Sequence, residues 1–140
     1  MKALIVDDEA KARRLLTELL TLHCPEIFSI EQVNSIPEAV KKIHSFQPDL
    51  IFLDVEMPQY SGIELPDFID LNTANFEIVF TTAYAEYAIN AFELSAIDYL
   101  LKPMRPDKLK EAVKKVAASI HQKKLHDRMD ALKKIFEQQK

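Results

Sequence analysis

Only one glycine, Gly62, occurs in the 140 residues, where average usage of ~7% would place roughly ten. Motifs that bring the backbone against phosphate through several glycines, the Walker A loop and the GxGxxG dinucleotide turn, are thereby excluded. One cysteine, Cys24, rules out an internal disulfide and any cysteine-based zinc cage, and is read as a buried or half-buried thiol. The histidines, His23, His44, His121 and His126, are scattered without ligand spacing, and surface positions account for them. There is no excess of positive charge for a nucleic acid: 18 basic residues stand against 22 acidic ones, a net charge of −4. No apolar run reaches the ~18 residues that span a bilayer, and Met1-Lys2 leads straight into a strand-like segment with no signal-peptide core. A cytoplasmic protein without membrane attachment is expected, and one that does not bind DNA by itself.

What is present is the mix of a single globular domain, 48% hydrophobic and 29% charged. Ala3 to Val6 is an apolar β-biased run that stops at Asp7-Asp8, and Ala12, Leu15, Leu16, Leu19 and Leu20 then follow at helical spacing. Ile27 to Val33 reads as a second strand. Ser35 is placed as the N-cap of a second helix, with Pro37 in its first turn and Ala39, Val40, Ile43 and Phe46 on its buried stripe. Leu50 to Leu53 is apolar throughout, as in a strand covered on both faces, and ends at Asp54. A third helix is expected through Leu65, Phe68, Ile69 and Leu71, with Pro66 near its start. Ile78 to Phe80 gives a fourth strand ending at Thr81-Thr82, and Tyr87, Ala88, Ala91 and Phe92 mark a fourth helix. Ile97 to Leu101 forms a fifth strand stopped by Lys102-Pro103, and a long fifth helix from Asp107 carries Leu109, Val113, Val116 and Ile120.

Strands alternating with helices in this way point to an α/β fold, a doubly wound parallel sheet with helices on both faces. Such sheets bind ligands beyond the carboxyl ends of their strands. Asp7, Asp8, Asp54, Thr82 and Lys102 all lie at or just past those ends. Carboxylates gathered there repel, a pair at 4 Å by about 4 kcal/mol at an effective dielectric near 20. A hard divalent cation, Mg²⁺ by preference, offsets the repulsion and keeps waters that a phosphate oxygen replaces; Lys102 adds a fixed positive charge. An aspartate in that setting can act as a nucleophile toward a phosphoryl group. Each residue also has a plainer reading: Asp7-Asp8 capping the first helix, Asp54 an ordinary loop residue, Thr82 capping the next helix, Lys102-Pro103 a solvated turn. Capping alone does not account for all of them in this order.

The ordered set Ile5-Val6-Asp7-Asp8-Glu9, Leu53-Asp54-Val55-Glu56-Met57-Pro58, Thr82-Ala83 and Tyr99-Leu100-Leu101-Lys102-Pro103 resembles a two-component response-regulator receiver domain over about Met1 to Ile120. The resemblance implies a flavodoxin/CheY-like sheet of five strands in the order 2-1-3-4-5. It implies that Asp54 accepts a phosphoryl group from a sensor histidine kinase. By the same resemblance Asp7, Asp8, Asp54 and the backbone carbonyl of Glu56 hold Mg²⁺, Lys102 pairs with the phosphoryl oxygens, and the Thr82 hydroxyl bonds one of them. Thr82 and Tyr99 would form the switch that alters the face of the fourth helix, fifth strand and fifth helix. A tyrosine simply packed between sheet and helix is the alternative for Tyr99. Glu56 and Tyr84 occupy positions that tune hydrolysis of the acyl phosphate in the family, with plain solvent exposure as the alternative. The protein would then be a signalling phosphoacceptor that catalyses its own phosphorylation and slow dephosphorylation. Phe80 to Tyr84 together with Glu86-Tyr87-Ala88, Ala91-Phe92 and Asp98 to Pro103 resemble receivers that precede LytTR-type DNA-binding domains. Leu94-Ser95-Ala96 departs from the family by lacking a glycine before the fifth strand.

Beyond Ile120 the apolar steps skip to Leu125, Met129, Leu132 and Phe136, which breaks the heptad register. Residues 1–120 are expected to form the receiver and 121–140 a helical extension or linker toward an output domain beyond this chain, through which alone DNA would be bound. A stand-alone receiver is the alternative. A homodimer through the fourth and fifth helices is plausible from Tyr87, Phe92 and the long last helix. Two rival functions are a pseudo-receiver that only binds protein partners and a Mg²⁺-dependent phosphatase with an Asp nucleophile. The latter needs a second aspartate two residues after the nucleophile, where Glu56 stands.

Overall fold

The computed structural model describes residues 1–139. The elements are β1 (Lys2–Val6), α1 (Ala10–His23), β2 (Ser29–Val33), α2 (Ile36–Phe46), β3 (Leu50–Asp54), β4 (Glu77–Thr82), α3 (Ala88–Glu93), β5 (Asp98–Leu101) and α4 (Pro106–Gln138). All strand pairs are parallel, in the order β2-β1-β3-β4-β5. This is the doubly wound sheet expected from the alternation of strands and helices.

Side chains alternate across a strand, so each strand feeds two cores. Ala3, Ile5, Leu50, Phe52, Val79 and Leu100 pack with Leu16 and Leu20 of α1 and with Leu109, Val113 and Val116 of α4. Leu4, Val6, Ile51, Leu53, Ile78 and Phe80 point the other way, onto Ile36 and Ala39 of α2, Leu65, and Ala91 of α3. β3, central in the sheet, is buried at all 5 positions, which is why its sequence is apolar without alternation. Ser35 caps α2, its Oγ accepting from Glu38 N–H at 3.3 Å, and Gln47 ends that helix in the left-handed region at φ 51°.

The expected third helix is not α-helical. Its place is taken by two 3₁₀ turns, Gly62–Asp67 and Leu71–Thr73. Pro66 has no N–H for an α-helical bond, and its ring crowds the carbonyl four residues earlier. Further on, the Asp70 carboxylate accepts from Asn72 N–H at 3.0 Å, a local bond that competes with helix continuation. Leu65 is still fully buried, while Phe68 is 40% exposed. β2 begins at Ser29, two residues after the expected Ile27, which is buried as a core residue while Phe28 faces outward.

α4 runs unbroken through the change in heptad register, because backbone bonds propagate a helix whatever its apolar spacing. Lys115 pairs with Asp98 at 3.0 Å, Ser119 Oγ donates to Glu77 at 2.9 Å, and Lys123 also pairs with Glu77. Residues 121 to 139 are all exposed. Cys24 is buried. His44, His121 and His126 are exposed and His23 partly so. Among the described residues no helix is long and apolar enough to cross a membrane.

Candidate functional site

Register builds the site. Val6 pairs with Leu53, so the residues that follow, Asp7 and Asp54, emerge side by side at the carboxyl edge of the sheet. Thr82 pairs with Leu101, which puts Lys102 immediately past the end of β5, where its N–H donates to the Thr82 carbonyl at 2.8 Å. Lys102 Nζ then reaches inward past β4, 2.9 Å from Asp7 Oδ2 and 3.2 Å from Asp54 Oδ1. Its peptide bond to Pro103 is cis.

Asp7 and Asp54 are buried, at 4% and 2% exposure, whereas Asp8 is exposed. Carboxylate oxygens of Asp7, Asp8 and Asp54 lie within 4.8 Å of one another. Asp7 is fixed from three sides: Oδ1 accepts from Glu9 N–H at 2.9 Å, Oδ2 takes Lys102, and its carbonyl accepts from Arg13 Nη1 at 2.7 Å. Asp7 does not cap α1, whose N-cap is Glu9 with no side-chain bond; its bond to Glu9 N–H orders the turn ahead of the helix. Its second oxygen nevertheless belongs to the acidic edge.

Burial, followed by the charge of Asp7, pushes the Asp54 carboxyl up to about 7; Lys102 opposes the shift and Glu56 adds to it. Burial of Lys102 works against its charge, but its bonds and attractions to Asp7 and Asp54 prevail and raise its pKa above the ordinary lysine value. One ammonium against three carboxylates leaves the cluster electronegative. Its hard oxygen donors fit a small divalent cation such as Mg²⁺ better than a soft or nitrogen-preferring metal.

Thr82 is fully buried. Its hydroxyl donates to Glu56 Oε1 at 2.6 Å and accepts from Tyr84 N–H at 3.0 Å. The second bond closes a local turn two residues on and caps no helix, since neither the 3₁₀ turn at Ala85–Tyr87 nor α3 has a side-chain cap; the first links β4 to the loop after β3. Tyr84 is 54% exposed, its ring edge-on to Tyr87. Tyr99 is 37% exposed on β5 and borders a groove of about 470 Å³ shared with Lys108, Glu111 and Lys115. Its side chain is thus partly covered and lies beside α4.

Gly62 has a part that its sequence position did not disclose. Its N–H donates to the Val55 carbonyl at 3.1 Å, and a Cβ there would sit 2.2 Å from the backbone oxygen of Asp54. Only a residue without a side chain allows this approach. Ser61 braces the same loop: its Oγ donates to the Val55 carbonyl at 2.8 Å, and Glu64 accepts from its N–H at 2.6 Å. A lone glycine, eight positions after Asp54 in a chain that otherwise has none, was the available signal.

Residues 3–114 match the response regulator receiver domain. The chain is 43% identical over 135 residues to an uncharacterized response regulatory protein of Vibrio parahaemolyticus, covering 94% of this chain and 54% of that protein. It is 44% identical over 116 residues to the sensory transduction protein LytR of Staphylococcus epidermidis, covering 83% and 46%. The chain spans about half the length of the curated relatives it matches. Among solved structures, the response regulator TrrA of Thermotoga maritima, in complex with Mg(2+)-BeF, matches with a TM-score of 0.71 at 37% identity, covering 82% of this chain and 97% of that one. The response regulatory domain of protein mrkE from Klebsiella pneumoniae matches with a TM-score of 0.72 at 33% identity, covering 87% and 99%. By its sheet order and these matches, the chain belongs to the response-regulator receiver family of two-component systems.

Proposed function

We propose that this receiver is a phosphoacceptor in which Asp54 takes a phosphoryl group from the phosphohistidine of a sensor histidine kinase. The observation that carries the reading is the Lys102 ammonium set between Asp7 and Asp54, 2.9 Å and 3.2 Å away, at the carboxyl edge of the sheet. An oxygen of Asp54 forms the new bond to phosphorus as the bond from phosphorus to the donor's imidazole nitrogen breaks. The electron pair leaves with the imidazole. Lys102 then pairs with the phosphoryl oxygens and the Thr82 hydroxyl bonds one of them. Positioning and charge neutralisation are what such a transfer asks of a protein.

Asp7, Asp8, Asp54 and the carbonyl of Glu56 would hold Mg²⁺. When bound, the ion neutralises charge and accepts a phosphoryl oxygen in place of water. In its absence Lys102 is the positive charge that faces the buried carboxylates.

Phosphorylation adds about −1.5 to −2 charges at this edge. Thr82 and Tyr99 transmit the change to the face made by α3, β5 and α4, the fourth-helix, fifth-strand, fifth-helix face of the sequence. A switch from 1:99 to 99:1 needs about 5.5 kcal/mol of differential stabilisation, so a few charge-assisted bonds shift the population without completing it. Residues 1–120 serve as the receiver, and 121–140, of which Lys140 lies outside the described residues, as the extension toward an output domain. A LytTR-type output that regulates transcription is supported by the likeness to proteins named transcriptional regulatory protein LytR in Staphylococcus aureus. The setting is the cytoplasm, and a second copy docks through the α3 and α4 face.

Intact mass after incubation with acetyl phosphate and Mg²⁺ tests the reading. One adduct of ~80 Da, a single phosphoryl group, is expected in the wild type and absent from Asp54→Asn and from the chelated sample. Equal labelling of Asp54→Asn would overturn it.

A further inference from the structure

A hydroxyl has one proton to give. In Thr82 that proton is committed to Glu56 Oε1 at 2.6 Å, and the same carboxylate oxygen accepts from Ala83 N–H at 3.3 Å. The hydroxyl oxygen in turn accepts from Tyr84 N–H at 3.0 Å. One carboxylate therefore holds the end of β4 and the first residue of the loop leading to α3, and through the threonine it also holds the second. Beyond this anchor residues 83–86 are all exposed, and α3 buries only Ala91. Tyr87, Ala91, Leu94 and Ala96 pack the later part of the segment on the core, so the anchor at Glu56 bears chiefly on residues 83–86.

We propose that Glu56 is a positioning residue that latches Thr82 and the β4–α3 loop in the unphosphorylated arrangement, in competition with the phosphoryl group. The latch presupposes the phosphoacceptor role of Asp54. Thr82 cannot donate to Glu56 and to a phosphoryl oxygen at once, so phosphorylation has to break the bond. The freed Glu56 carboxylate is then left close to a group of its own charge sign, and the Ala83 and Tyr84 amides lose the arrangement that fixed them. Opening the latch thus couples the chemistry at Asp54 to the mobility of the segment ahead of α3.

Two measurements test it. In the free protein, amide hydrogen exchange at Ala83 is expected to be faster in Glu56→Ala than in the wild type; unchanged exchange overturns the latch without touching the phosphoacceptor reading. Beryllofluoride with Mg²⁺ is then titrated by NMR into wild type, Glu56→Ala, Thr82→Val and the double variant. Losing the competing bond tightens beryllofluoride binding in Glu56→Ala by about tenfold, the worth of one charge-assisted hydrogen bond. With Val at 82 the same Glu56 change has an effect of less than about twofold, since coupled residues are non-additive. Thr82→Ser, which keeps the hydroxyl, preserves the full effect. Tightening of equal size in the Val background would make Glu56 a bare charge and overturn the latch. Failure of every variant to bind beryllofluoride would overturn the phosphoacceptor reading and the latch with it.

Discussion

Lys102 Nζ lies 3.2 Å from Asp54 Oδ1 although β4 separates their strands in the sheet. Lys102 emerges beside Thr82 at the end of β5 and spans that strand with its side chain. The Lys102 side chain is a quarter exposed, whereas that of Asp54 is nearly sealed.

Removing this charge leaves two adjoining buried carboxylates without a counter-ion. Lys102→Met is expected to lower the unfolding free energy by about 3 kcal/mol in chelator at neutral pH, as for a broken buried pair. Urea denaturation checks this, and Mg²⁺ should restore part of the loss.

Asp54 itself should be worth removing for stability. Its carboxyl titrates near 3.8 when unfolded and at about 7 in the folded chain. The shift is upward for an acid, so ionisation is harder in the folded state. The penalty is absent below the unfolded value, grows as pH rises through the interval and is complete above the folded value. In chelator, Asp54→Asn is expected to be more stable than the wild type by roughly 2–4 kcal/mol at pH 8, with the gap closing toward pH 4. A constant gap across denaturation curves taken over this range would contradict the assignment.

Divalent cations should stabilise the fold, since a ligand that binds only the native state adds RT ln(1 + [L]/Kd). Asp8 is exposed, so Asp8→Asn should leave the cation-free melting temperature within about 2 °C of the wild type, as for a surface substitution. The rise in melting temperature with added Mg²⁺ should shrink in the same variant, because one proposed ligand is gone.

Gly62→Ala places a methyl 2.2 Å from the Asp54 carbonyl oxygen, a backbone atom that cannot swing aside. A stability loss of about 3 kcal/mol, at the upper end of overpacking costs, is expected from thermal or urea unfolding. Acetyl phosphate labelling should slow alongside it, because the displaced backbone carries the acceptor.

Strand ends were readable because apolar β runs stop abruptly at Asp7, Asp54, Thr82 and Lys102, and parallel pairing then brings those ends to one edge. The burial of Leu65 was likewise legible from apolar spacing. The helix proposed around it was not, because Pro66 and the Asp70 side chain decide the backbone locally while the periodicity of Leu65, Ile69 and Leu71 persists. The Glu56–Thr82 bond joins residues 26 positions apart, one on the loop after β3 and one at the end of β4, and no pattern along a chain encodes such a contact. Gly62 showed its scarcity in the sequence, but its reason is a distance to Asp54 that only the folded loop reveals. In α4 the change of register at Ile120 was visible, yet it governs what the helix can pack against and not whether the helix continues.

The central claim is that Asp54 becomes an acyl phosphate. The most direct measurement is hydride trapping: acetyl phosphate and Mg²⁺, then borohydride, which reduces an aspartyl phosphate to homoserine, then peptide mass analysis. Homoserine at position 54, and at none of the other aspartates, is the result predicted. Homoserine at Asp7 or Asp8, or an unmodified Asp54 in a sample whose intact mass shows the phosphoryl adduct, would contradict it.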